Sequence, residues 1–107
     1  MRNPTTSTSL DMSLDMLSSP HRRRILLAVL DDNPRDEDEF TSDATDDELT
    51  ALKTQLHHVH LPKLADKGYI EWNPDTETIR RGPNFDEIAP LLTLMSNHAD
   101  ELPDDWP

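Results

Sequence analysis

The chain has no cysteine, which excludes disulfide bridges and thiolate metal sites. Glycine occurs only twice. That is too few for a phosphate-cradling loop, and the Asp-rich segments lack the glycine that a calcium-binding loop needs for its sharp turn. Two tryptophans, one tyrosine and two phenylalanines are the only aromatics, so Leu, Ile, Val and Met must supply most of the core. No stretch approaches the ~20 apolar residues of a membrane-spanning helix. Met1 to Ser9 lacks the apolar run of a secretory signal. The expectation is a cytoplasmic protein with no membrane partner. Bases are scarce as well: ten Lys and Arg face 22 Asp and Glu, for a formal charge of −12.

What is present is an acidic, Asp-rich, Lys-poor chain of 107 residues, the size of one domain. In dilute salt such a charge repels itself. At molar salt the Debye length falls to about 3 Å and the repulsion is largely screened. The balance therefore suits a halophile. An acidic protein that mimics DNA or binds a basic partner has the same composition.

Residues 1–9 are polar and read as a disordered tail. Leu10, Leu14, Met16 and Leu17 make a short amphipathic helix. Ser19-Pro20 starts a second helix, with Ser19 as N-cap and Pro20 in the first turn. Its buried stripe is Ile25, Leu26, Val29 and Leu30. Residues 31–48 hold ten carboxylates and one base, Arg35. They support one helical turn at most, around Asp36 to Phe40. Thr45 or Asp46 caps a long helix, in which Leu49, Leu52, Leu56 and Val59 form the seam of a well-buried face. Pro62 kinks that helix near His58, or two helices meet there. Gly68 ends it. Tyr69 to Trp72 and Thr78 to Arg81 are strands of a hairpin across Asn73-Pro74-Asp75-Thr76-Glu77. Asn84 caps a last helix with Phe85, Ile88, Leu92 and Met95 on one face, and Pro90 marks a kink or a later start. The domain is thus expected over 10–98, with a loosely held acidic tail at 99–107. The fold class is mainly α with a small β-hairpin.

Two runs carry a resemblance. Leu17-Ser18-Ser19-Pro20-His21-Arg22-Arg23-Arg24-Ile25-Leu26 resembles the Leu-x-x-Pro-x-Arg-x-x-Ile-Leu run that opens ArsR-type repressors. His60-Leu61-Pro62-Lys63-Leu64, followed by Gly68-Tyr69-Ile70, resembles the end of their recognition helix and first wing strand. The chain is most similar to small winged-helix regulators common in haloarchaea. The resemblance implies a winged helix-turn-helix fold and a transcription regulator whose partner is double-stranded DNA. Helix 47–67 would enter the major groove and wing 69–82 would touch backbone or minor groove. By position, Lys53, Thr54, His57 and His58 fall on the reading face, Lys63 and Lys67 near phosphates, and Arg80 and Arg81 on the wing. The same residues are equally ordinary surface positions left among carboxylates. No metal-sensing cysteine motif is present, so metal-responsive repression is not implied.

In ArsR-like proteins the terminal helices pair two chains. That makes Leu10, Leu14, Leu17, Phe85, Ile88, Leu92 and Met95 the expected homodimer interface, although in a monomer they would complete the core. Arg22, Arg23 and Arg24 either grip a phosphate or fix helix packing through the acidic stretch. Packing is favoured, because cations near a helix N-terminus oppose its dipole.

An enzyme is not expected. No nucleophile–base arrangement, catalytic residue or cofactor motif is visible. His57, His58 and His60 lack the further ligands that zinc requires. The competing reading to DNA binding is a protein partner, docked through the acidic stretch of a winged-helix scaffold.

Overall fold

The computed structural model describes residues 10–107; the tail expected at 1–9 lies outside the described residues. In chain order the elements are α1 (Leu10–Met16), α2 (Pro20–Asp31), β1 (Arg35–Asp36), a 3-10 turn (Glu37–Phe40), α3 (Asp46–Gln55), a π segment (Leu56–His60), α4 (Leu61–Asp66), β2 (Ile70–Asn73), β3 (Thr78–Arg81), α5 (Phe85–Asn97) and a closing 3-10 turn (Ala99–Glu101). This is a mainly helical α+β domain with a small antiparallel sheet.

The hairpin forms as the turn chemistry dictates. Asn73 Oδ1 accepts from the N–H of Asp75 at 2.9 Å and of Thr76 at 3.2 Å, closing an Asx-type turn. β2 and β3 pair with Trp72 opposite Ile79. The sequence does not disclose the third strand. β1 pairs with β3, Arg35 opposite Ile79, so the sheet order is β1-β3-β2. Two polar residues carry no alternation to read, and their pairing is supplied by the open edge of β3.

The core gathers Met16 and Leu17 behind α1, Ile25, Leu26 and Val29 of α2, Leu56, Leu61 and Leu64 of the long helical path, Tyr69 and Ile70 entering β2, Ile79 of β3, and Phe85, Ile88 and Leu92 of α5. Four of the residues expected to pair two chains (Leu17, Phe85, Ile88 and Leu92) are therefore core residues of one chain and cannot present a surface to a second. Met95 is half-buried against the same core, while Leu10 and Leu14 stay exposed.

Helix ends follow from the shortage of glycine. Gly68 ends α4 at φ +77°, with Tyr69 N–H bonded to Leu64 O at 3.1 Å and Gly68 N–H to Ala65 O at 3.0 Å, the Schellman pattern. The other glycine lies against it: a Cβ on Gly82 would sit 2.3 Å from Gly68 O. The ends of α1 and α2 have no glycine and use arginine. Arg22 Nε donates to Met16 O and its Nη2 to Asp15 O, both at 2.9 Å, and Arg23 Nη1 donates to Leu17 O at 2.7 Å. Arg81 donates to Val29 O and Leu30 O, both at 2.7 Å. Each guanidinium satisfies orphan carbonyls and faces the negative end of a helix dipole. The expected packing role of the Arg22–Arg24 run thus holds for Arg22 and Arg23, but through backbone carbonyls rather than the acidic stretch.

Further expectations change. The helical path before Pro62 keeps right-handed helical angles at Gln55, Leu56, His60 and Leu61, and the irregularity expected near His58 takes the form of a π segment. That segment widens the helix just before Pro62, as is usual where a helical hydrogen bond is lost. Asn84 stands at the N-cap position of α5, but its side chain donates to Lys67 O at 3.1 Å instead of capping. Pro90 lies inside α5, which runs through it. The C-terminal tail is also tied back: Arg23 Nη2 donates to Asp105 O at 3.3 Å and its guanidinium lies 6.0 Å from the Trp106 ring.

Candidate functional site

The path from α3 through the π segment to α4 dominates one side of the molecule. Thr45 caps it. Its hydroxyl accepts from Glu48 N–H at 3.3 Å, while Glu48 Oε1 accepts from Thr45 N–H at 3.1 Å, a reciprocal capping box. The Glu48 carboxyl is held below its ordinary pKa by the Thr45 N–H and by the Thr45 hydroxyl, which also donates to Oε1, at 2.9 Å.

α3 departs from the expected seam, since none of its residues is buried. Leu49 and Leu52 are half-exposed and Val59 is 48% exposed. The spacing marks an apolar face correctly, but α2 and the 3-10 turn do not reach it. Between them runs an open cleft of about 830 Å³.

The π segment sets its histidines in two different places. His57 turns toward the sheet, with Nε2 at 3.3 Å from Glu37 Oε2 and its ring 5.4 Å from that of Trp72. The Trp72 indole N–H donates to the same carboxylate oxygen at 2.9 Å. Glu37 is only 4% exposed, so this carboxylate fastens the 3-10 turn, the helix and the hairpin together. Nothing in the local sequence separates Glu37 from its acidic neighbours. His60 turns to the core, 7% exposed, with Nδ1 at 3.3 Å from Arg22 Nη1. A guanidinium can only donate, so Nδ1 accepts and the proton sits on Nε2, which has no partner among the described residues. Burial lowers the His60 pKa below its ordinary value, helped by neighbouring His21, Arg22 and Lys63.

The residues expected to meet DNA fall into two groups. Lys53, Thr54 and His58 are exposed along the helical path, and Arg80 is exposed on β3. The Thr54 hydroxyl donates to Thr50 O at 2.8 Å. Lys63 Nζ lies 3.1 Å from an Asp15 carboxylate that is itself largely exposed, a surface pair of little net strength. His57 and Arg81 are engaged inside the chain. Arg81 is the C-terminal anchor of α2 and also stacks over Phe85, 5.6 Å from the ring centre; the register that puts it on the wing also turns its guanidinium back onto α2. Lys53, Thr54, His58 and Arg80 are thus the exposed members of the expected set, and Asp46, Asp47 and Glu48 fill the first turn of α3. Asp38 and Glu77 line a small pocket together with Lys53, and with Asp36 they bring exposed carboxylates within 4.8 Å of one another. Asp36 there accepts from Asp38 N–H at 3.0 Å, in its role as cap of the 3-10 turn.

The model of the family described as Domain of unknown function (DUF7344) matches residues 14–80. That span runs from within α1 to within β3 and includes Lys53, Thr54, His58 and Arg80, and the chain belongs to this family. No curated protein and no solved structure matches it.

Proposed function

We propose that this member of the DUF7344 family is a winged-helix DNA-binding transcription regulator, akin to the small ArsR-like regulators of haloarchaea. What supports the reading most is the order helix, short strand, turn, helix, hairpin, closed by a sheet in the order β1-β3-β2. In such an arrangement the 3-10 turn at Glu37–Phe40 takes the place of the first helix of a helix-turn-helix. The path from α3 to α4 is then the reading helix, and β2–β3 is the wing. Lys53, Thr54 and His58 supply side chains able to hydrogen-bond base edges or phosphates, and Arg80 a wing contact to the backbone. Lys63 joins them by exchanging Asp15 for a phosphate. Arg81 is withdrawn from the contact set.

The charge of −12 opposes binding in dilute salt. At molar salt it is screened, and counterion release contributes little. Recognition then rests on shape and base contacts in a halophilic, cytoplasmic setting. Leu10 and Leu14, exposed on α1, are the surface left for a homodimer suited to a palindromic operator. The test is binding to duplex DNA from the gene's own upstream region in a KCl series up to molar concentrations. Selective binding that survives molar KCl supports the reading, and equal, weak binding to every duplex refutes it.

A second reading is a protein-interaction module on the same scaffold, docking through its acidic surface. It is favoured by the engagement of Arg81 and His57 inside the chain, which removes two of the expected DNA contacts.

A further inference from the structure

We infer that the cleft between α2 and α3 is a docking groove for a short, cationic, amphipathic helix of a partner protein. This deepens the second reading above and is independent of whether the reading helix binds DNA.

The groove has an apolar floor. Phe40, Ala44, Ala51 and Leu52 line it, resting on buried Ile25, and the space amounts to about 830 Å³. α3 is the uncovered wall: it buries none of its ten residues, whereas the π segment and α4 that continue it bury Leu56, His60, Leu61 and Leu64. Its capping box and acidic first turn hold its start. On the groove side, however, Leu52 remains half-exposed and Ala51 exposed. A helix of similar length laid along α3, ~15 Å at 1.5 Å per residue, would bury that face by the helix-in-groove mode of recognition.

The rim decides the sign of the occupant. Asp43, Asp47 and Glu48 stand around the floor and none of the three is buried, while Glu39, also on the rim, is paired with Arg35 at 2.7 Å. Arg24, on the α2 wall, is the lone permanent cation among the lining residues. DNA would bring like charge to this rim, and so would a second copy of a chain carrying −12. Lysine or arginine flanking a leucine stripe matches both the rim and the floor. Salt would weaken the rim contacts and leave the apolar ones.

The test uses the full chain at a KCl concentration where circular dichroism shows it folded. The probe is a dye-labelled amphipathic Leu/Lys helix of about 12 residues, compared by fluorescence anisotropy with its Leu/Glu counterpart and with a scrambled Leu/Lys control. The Leu/Lys helix is expected to bind at least about tenfold more tightly than either. Leu52→Asp should weaken it by about tenfold or more, and Asp43→Lys/Asp47→Lys should shift the preference toward the Leu/Glu helix. Amide shifts on binding should centre on Phe40, Ala44, Ala51 and Leu52. Lys53→Ala/Arg80→Ala, which lies outside the groove, should bind the Leu/Lys helix like wild type whatever it does to DNA. Equal affinity for the three peptides, shifts centred elsewhere, or duplex DNA occupying the same four residues would each overturn the proposal.

Discussion

Replacing Arg22 by methionine should destabilise the domain far more than any other change to the basic run at 22–24. Arg22 is 6% exposed, and its guanidinium holds two carbonyls at the end of α1, each at 2.9 Å, as well as the ring of His60. Methionine keeps most of the stem's packing and removes the donors. Asp15 O keeps the Ser18 hydroxyl at 2.6 Å, so Met16 O is the carbonyl left short. A hydrogen bond to a charged group contributes about 1.5–3 kcal/mol, and a buried acceptor left unpaired costs about 1–3 kcal/mol. The two descriptions overlap, so the expected loss is about 2–4 kcal/mol. That is a large share of the roughly 5–15 kcal/mol that holds a domain. With m near the low end of about 1–3 kcal/mol per molar urea, the midpoint should fall by roughly 2–4 M. The measurement is urea unfolding at fixed molar KCl, with exposed Arg24→Met as the control, which should stay within about 0.5 kcal/mol of wild type. If Arg22→Met matched that control, arginine would not be what ends α1.

Four other outcomes are expected. Gly68→Ala should cost about 1–3 kcal/mol in the same unfolding assay, because Gly68 has φ +77° and a Cβ there would lie 2.6 Å from Asn84 Nδ2; a neutral result would contradict the Schellman assignment. Arg81→Ala should lower stability in the absence of DNA by about 1–3 kcal/mol, whereas Arg80→Ala should leave it nearly unchanged, and the reverse order would show that the wing arginines have been exchanged. Stability should be full above the ordinary histidine pKa of 6.5 and fall as pH drops through the lowered values of His60 and His21, since an unfolded chain takes up those protons first; thermal melts from pH 7.5 to 5 should show the loss, and His60→Gln should flatten it. Trp106→Ala should shift the thermal midpoint and move the Arg23 Nε–H signal through loss of the ring beside it, with the bond to Leu17 O retained, while an unchanged Arg23 signal would mean that the tail is not tied to α2.

The sequence discloses what local chemistry decides. The hairpin lies where Asn73 and the strand residues put it, because an Asx turn and β-branched flanks act within a few residues. The start of α2 at Ser19-Pro20 and the end of α4 at Gly68 are legible for the same reason. Apolar spacing also finds the face of α5. It does not reveal whether a partner surface exists. Phe85, Ile88 and Leu92 find theirs inside the chain, so the expected dimer contact becomes core, while of the expected seam Leu52 lines an open cleft and Leu49 stays half-exposed outside it. The roles hardest to read are those fixed by distant backbone. β1 exists through the edge of β3, Glu37 differs from neighbouring acids only because Trp72 and His57 arrive beside it, and Arg81 looks like a wing cation until α2 is seen ending beneath it.

The most direct measurement of the central claim is the salt dependence of binding to the chain's own upstream duplex, for the wild-type protein and for Lys53→Ala/His58→Ala/Arg80→Ala. The account predicts selective binding that persists at molar KCl, lost or made unselective in the variant, with a shallower salt slope by roughly one per phosphate contact removed. Identical binding by both proteins, or no selectivity in either at any KCl concentration, would contradict it.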